Sequence, residues 1–283
     1  MIAAVDIGGS KIAVGMVDRS GRVYATANCP TRAELGFEDG IRRITGLISE
    51  AQHRIGEAID GIGIGCTGPV DPRSGMIGKA ELLRGWWGSP LAERLATEFH
   101  VSVAVDNDAD AVVLSESKWG AGSDAQCLVC IVIGTGIGGG IIRNGALYRG
   151  ANGGHPEPGH MALDVSTGPK CYCGLTGCWE SLASGPALQA NYAAGTERVG
   201  AAEICRRARA GEPCARQAVE RVGQYLGIGL ANVVTMYCPD VVLPGGGVMR
   251  DADLFLDDIR KDGAQTGNAG SNRWSADRGG EVQ

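Results

Sequence analysis

Between Glu157 and Glu180 the chain holds His160, Cys171, Cys173 and Cys178. Three thiols spaced C-x-C-x4-C, with an imidazole eleven positions before the first, form a donor set suited to tetrahedral Zn²⁺. Four protein donors leave no open coordination position, so the metal expected here is structural and pins a loop. The competing reading is a chance cluster of packed thiols. Three cysteines within eight residues, flanked by glycines, argue against it. Glu157 and Glu180 flank this loop, which makes them binding candidates where an average glutamate only meets solvent.

Asn107 and Asp108 open "DNDADA", where a strand gives way to a helix. Function and helix capping compete for such residues. Asp and Asn are favoured N-caps, while a carboxylate there can take a proton from a substrate hydroxyl. Three glycine turns, "DIGGSK" from Asp6 to Lys11, "GTGIGGG" from Gly134 to Gly140, and Gly245 to Gly247, read equally as tight turns or as phosphate cradles of backbone N–H groups. The second contains G-x-G-x-x-G, but "IIRNGALY" continues it as a strand and hairpin where a dinucleotide fold needs a helix. No Walker P-loop pattern is present.

These residues need elements to hold them. "IAAVDIGGSKIAVGMVDRSGRVYATA" reads as three strands with two turns, and "CLVCIVIGTGIGGGIIRNGALYRG" repeats that grammar, with Asn144-Gly145 as a hairpin turn. The repeat predicts duplicated α/β domains, an N-terminal one over 1–115 and a C-terminal one over 116–261 that carries the metal loop 157–181. Helical periodicity marks Phe37 to Ile59, Leu91 to Phe99, Ala201 to Ala210 and Ala215 to Met236. Strands are expected at Gly61 to Gly65, Val101 to Val105, Cys127 to Ile133 and in "DVVLPGGGV". The tail 262–283 lacks apolar periodicity and reads as irregular.

Composition bounds the function. The 283 residues are 44% hydrophobic and 20% charged, ordinary globular usage, but the 46 glycines are unusually many and imply tight turns or close approaches. A net charge of −6 and scattered basic residues argue against nucleic acid as a partner. No apolar run suits a membrane span and the start lacks a leader pattern, so the protein is expected to be cytoplasmic, without disulfides. Cys66, Cys127, Cys130 and Cys238 are expected to pack as small hydrophobes.

The series "DIGGSK", "GCTGPVD", "DNDADA", "GTGIGGG", "EPGH", "CYCGLTGCWE" and "PDVVLPGGGV" resembles, in order and rough spacing over about residues 2 to 255, the motifs of the ROK family of sugar kinases. The resemblance implies an actin-like (RNase H-like) ATPase fold, two duplicated domains around a cleft that holds a sugar, with a zinc-binding loop. It makes Asp108 the general base. It makes Gly68, Asn107, Glu157, His160 and Glu180 sugar-binding, His160 with one ring nitrogen on zinc and the other free for the sugar. Asp6, Gly8, Gly9, Ser10 and Lys11 would border the phosphates and Mg²⁺ of ATP. Gly134, Thr135, Gly136 and Gly138 would form a second phosphate loop, and Gly245, Gly246 and Gly247 would lie near adenosine.

The implied activity is ATP-dependent phosphorylation of a hexose hydroxyl, glucose first, with N-acetylmannosamine or fructose as rivals, by a homodimer or dimer of dimers. A catalytically impaired sugar-binding or sugar-sensing protein is the alternative of another class. The chain departs from the pattern in places. Ser10 replaces the usual Thr, Leu82 stands where the family often has an asparagine, and His155-Pro156 before Glu157 is the form of fructokinase-like members. The family's closing helices are not visible in the tail, as if the chain were shortened or frame-shifted, and weakened ATP binding is expected.

Overall fold

The computed structural model describes residues 1–192, 199–263 and 273–274. The chain divides into two units, Met1–Ser115 with Arg149–His155, and Glu116–Tyr148 with Pro156–Gln283. A linear boundary near 115 places 149–155 with the second half; in the structure that segment packs with the first unit.

In the first unit β1 (Ile2–Ile7), β2 (Lys11–Val17) and β3 (Val23–Pro30) form an antiparallel meander. Strands β4 (Gly61–Cys66) and β7 (Ser102–Asn107) add in parallel, giving the order β3-β2-β1-β4-β7. The short strands β5 (Val70–Asp71) and β6 (Met76–Ile77) pair by themselves. Alternation places Ala3, Val5 and Ile7 of β1 and Ile12, Val14 and Met16 of β2 in the core. Helix α1 (Phe37–Ile55) buries Ile41, Ile44, Leu47, Ile48 and Ala51, one face at helical spacing. It stops short of the expected Ile59 because Gly56, at φ 75°, takes the left-handed conformation and its N–H donates to Gln52 O at 2.8 Å. Helix α2 (Leu91–Phe99) precedes β7, and α3 (Asp108–Trp119) begins directly from its end.

The second unit repeats the plan. Strands β8 (Cys127–Ile133), β9 (Ile137–Arg143) and β10 (Ala146–Leu147) are antiparallel, β11 (Val241–Gly245) and β12 (Arg273–Trp274) are parallel, and the order is β10-β9-β8-β11-β12. Asn144 and Gly145, at φ 52° and 73°, make the expected primed hairpin turn. Helices α4 (Trp179–Ala183), α5 (Gly185–Asn191), α6 (Ala201–Arg209), α7 (Pro213–Tyr237) and α8 (Leu256–Gly263) cover the sheet. Trp179, Leu226, Leu230, Ile131, Ile133 and Phe255 share one core.

Two expectations need correction. Residues 262 and 263 finish α8, and Arg273–Trp274 pair with Val241 and Val242, so part of the tail is regular. Backbone pairing with an existing strand orders two residues that have no periodicity of their own. The remainder of the expected irregular tail lies outside the described residues. Cys66 and Cys130 are buried as expected, but Cys127 is only partly covered and Cys238 is exposed at the left-handed C-terminus of α7. No described helix is long and apolar enough to cross a membrane.

Candidate functional site

In the first unit strand register aligns the candidate residues. Pairing aligns Asp6, Gly65 and Asp106 in one row across β1, β4 and β7, and Ile7, Cys66 and Asn107 in the next. Parallel strands all end at the same edge, so the polar residues that close them gather there. Asp108 follows as the first residue of α3. Burial is the largest influence on its carboxyl and pushes its pKa up, against the Ala109 N–H and the charge of His155. Asp6 is open to solvent on one side, yet the surrounding protein also raises its pKa, helped by Asp108 and opposed by Lys11. Cys66, beneath the two carboxylates, is pushed up to about 12, by burial first and then by Asp108 and Asp6.

Both Asn107 and Asp108 hydrogen-bond at the start of α3. The Ala109 N–H donates to Asn107 Oδ1 and to Asp108 Oδ1, both at 2.8 Å. The carboxyl of Asp108 also takes a hydrogen bond from its own backbone N–H. A Cβ on Gly68 would lie 3.0 Å from Asn107 Nδ2 and 3.5 Å from His155 Nε2, which places these three residues together. His155 was not among the expected site residues; its departure from the usual motif was the available signal. Arg149 supports this segment by ion pairs with Asp106 and the fully buried Asp110. Burial raises Asp110 to about 6 although Arg149 opposes it.

In the turn of the first unit Gly8 N–H donates to Lys11 O at 3.0 Å, Thr31 N–H donates to Ser10 O at 3.0 Å, and Leu82 lies over Gly9. The turn of the second unit is clamped from outside. Ile137 N–H donates to Glu180 Oε2 at 2.9 Å, and a Cβ on Gly136 would fall 2.2 Å from that oxygen. Glu180 therefore holds the turn, and its Oε1 has no hydrogen bond among the described residues. Thr135 and Gly138 lie within the same turn and first strand residues, and Gly185 N–H donates to Gly134 O at 2.8 Å. Parallel pairing brings Gly245 opposite Val132, so Gly245, Gly246 and Gly247 meet the end of β8. Gly246, at φ 93°, allows a backbone approach to Ile133 that a Cβ 2.5 Å from Ile133 O would prevent.

The metal loop is compact. One ligand atom from each of His160, Cys171, Cys173 and Cys178 lies within 4.8 Å of all the others. Cys171 Sγ is 3.6 Å from His160 Nδ1 and Cys173 Sγ is 3.5 Å from Cys178 Sγ. Zinc with Zn–S near 2.3 Å and Zn–N near 2.0 Å needs donor separations of about 3.5–3.8 Å, so these residues fit it with small adjustments. Asp164, which sequence reasoning did not single out, anchors the loop. It accepts from Ser166, Thr167 and the Tyr225 hydroxyl of α7, and these bonds, Thr167 foremost, hold its carboxyl well below the usual range. Glu157 precedes the short 3-10 helix Pro158–His160 that brings His160 to the thiols. One expectation fails: His160 Nε2 is not free, because the Tyr172 hydroxyl lies 3.1 Å away. Tyr172 sits between two of the cysteines, which places it beside the ring they surround.

The ROK family signature spans residues 2–273 of the chain. The glucokinase of Streptomyces coelicolor is 36% identical over 276 residues, 91% of this chain and 85% of that protein. The glucokinase of Thermotoga maritima is 32% identical over 275 residues, 92% of this chain and 86% of that one. A ROK family glucokinase from Streptomyces griseus, solved with glucose and AMPPNP, superposes with a TM-score of 0.83 at 32% identity, over 96% of this chain and 91% of the other. With the repeated sheets, the strand-end carboxylates and the His/Cys cluster, these likenesses settle the family: the chain belongs to the ROK family, as one of its sugar kinases.

Proposed function

We propose that the substrate is a hexose, glucose before N-acetylmannosamine or fructose, and that Asp108 is the general base. The sugar hydroxyl oxygen attacks the γ-phosphorus of ATP, the bond from that phosphorus to the β-γ bridging oxygen breaks, ADP leaves, and the hydroxyl proton passes to Asp108. The observation that carries the base assignment is the half-buried Asp108 carboxyl at the end of β7, its pKa raised chiefly by burial. Asn107, Gly68, Glu157, His160 and Glu180 bind sugar hydroxyls, with Glu180 also holding the Gly134–Gly138 turn. Asp6, Gly8, Gly9, Ser10 and Lys11 address the phosphates and Mg²⁺, and Gly245 to Gly247 the adenosine. Catalysis then rests on positioning and electrostatics.

His160, Cys171, Cys173 and Cys178 would hold zinc, which when bound supplies a fixed frame for the loop between Glu157 and Glu180. A coupled assay of ADP release over a hexose panel tests the substrate. Glucose is expected to give the highest kcat/KM, and a higher value for another hexose would replace it.

A further inference from the structure

We infer that Tyr172 is a specificity-determining residue that masks His160 when no sugar is bound, its hydroxyl holding the place a sugar hydroxyl must take. This rests on the reading above, in which His160 binds the sugar. The imidazole turns Nδ1 toward the thiols, with Cys171 Sγ at 3.6 Å, and Nε2 toward Tyr172 Oη at 3.1 Å. The two rings meet edge to face, with centroids 5.1 Å apart and planes at 80°. A neutral imidazole whose Nδ1 is a ligand carries its proton on Nε2 and so offers one N–H. The phenol oxygen accepts that single proton, and a sugar oxygen that needs it has to displace the phenol.

Tyr172 is built for displacement. It is 72% exposed, so little packing holds the ring. Cys171 and Cys173 fix the backbone on either side, so the side chain alone has to move. The exchange replaces one neutral hydrogen bond by another and gains nothing at this atom. The ligand must therefore draw its affinity from its other contacts, the carboxylates of Glu157 and Glu180 among them. A molecule that makes only the His160 contact does not open the mask, and selection falls on sugars that satisfy several partners at once.

Tyr172→Phe removes the competing hydroxyl and keeps the ring. Isothermal titration with glucose is expected to show affinity raised about fivefold, the equivalent of one ordinary hydrogen bond. The ¹⁵N resonance of His160 Nε2 in the sugar-free variant should lose the shift that the phenol imposes, while zinc content stays at about one per chain. Unchanged or weaker glucose binding in the variant, with the parent protein binding glucose normally, overturns the mask and leaves the kinase reading intact. If neither protein binds glucose or another hexose, both are overturned. A sugar-bound structure that keeps Tyr172 Oη on His160 Nε2 also rejects the mask.

Discussion

The two units share a strand order and differ in what stands at the strand ends. Ile7 and Ile12 bracket the first glycine turn and Ile133 and Ile137 bracket the second, yet the residue before the turn is Asp6 in one sheet and its counterpart is Val132 in the other. The first unit gathers Asp6, Asp106, Asp108 and Asp110, whereas the second keeps a neutral turn clamped by Glu180 and adds the His/Cys loop. Backbone pairing and apolar alternation maintain the frame and place few demands on the residues that close the strands. A repeated fold can therefore gather carboxylates in one copy and a His/Cys loop in the other.

The largest expected break in this asymmetry is Asp108→Asn. It should lower kcat by about 10²- to 10⁴-fold while glucose affinity stays within a few fold, because the amide keeps the shape and loses the base. Wild-type turnover in steady-state kinetics would reduce Asp108 to a cap.

Next is a matched pair of glycine substitutions. Gly246→Ala forces a Cβ to 2.5 Å from Ile133 O at positive φ and should cost about 3 kcal/mol in urea unfolding. Gly8→Ala meets nothing closer than Lys11 O at 3.5 Å, so it should stay within about 1 kcal/mol of the parent. Equal losses would show that the two sheets are under similar constraint.

Chelation should act on one unit. Removing zinc is expected to speed amide exchange over residues 160–178 by more than about tenfold and to leave β1, β4 and β7 unaffected, since the metal holds only that loop. A preparation without zinc and with a slowly exchanging loop would contradict this.

The smallest effect is in the pH dependence of the first unit. Burial raises Asp110 in the fold to about 6, against about 3.9 in an unfolded chain. Between those values the folded state binds a proton that the unfolded state has released. Its contribution to stability is therefore present below about pH 4 and falls as pH rises to about 6. Melting temperatures across this range should slope less in Asp110→Asn than in the parent, and parallel curves would remove Asp110 as the source.

Much of the site was legible because its signals are local. The C-x-C-x4-C spacing with His160 named four residues whose donor atoms do converge, and the apolar run from Cys127 to Ile133 is β8 residue for residue. Asn107 and Asp108 announced a helix start, but only the structure showed them sharing the Ala109 N–H. Arg149 and His155 were missed because their partners, Asp106, Asp110 and Gly68, lie far away in sequence. Glu180 was read as a sugar ligand, and its bond to Ile137 depends on a helix packing beside a turn more than forty positions away.

By itself the sequence determined which residues could ionise, bind metal or turn sharply, and it determined the strand and helix periods, since these follow from side-chain chemistry and from neighbours a few positions apart. Tertiary packing set that Asn107 and Asp108 share the Ala109 N–H, that the Tyr172 hydroxyl meets His160 Nε2, and that 149–155 packs with the first unit. Such choices depend on which groups burial brings within hydrogen-bond reach, and no local pattern in the chain encodes those distances.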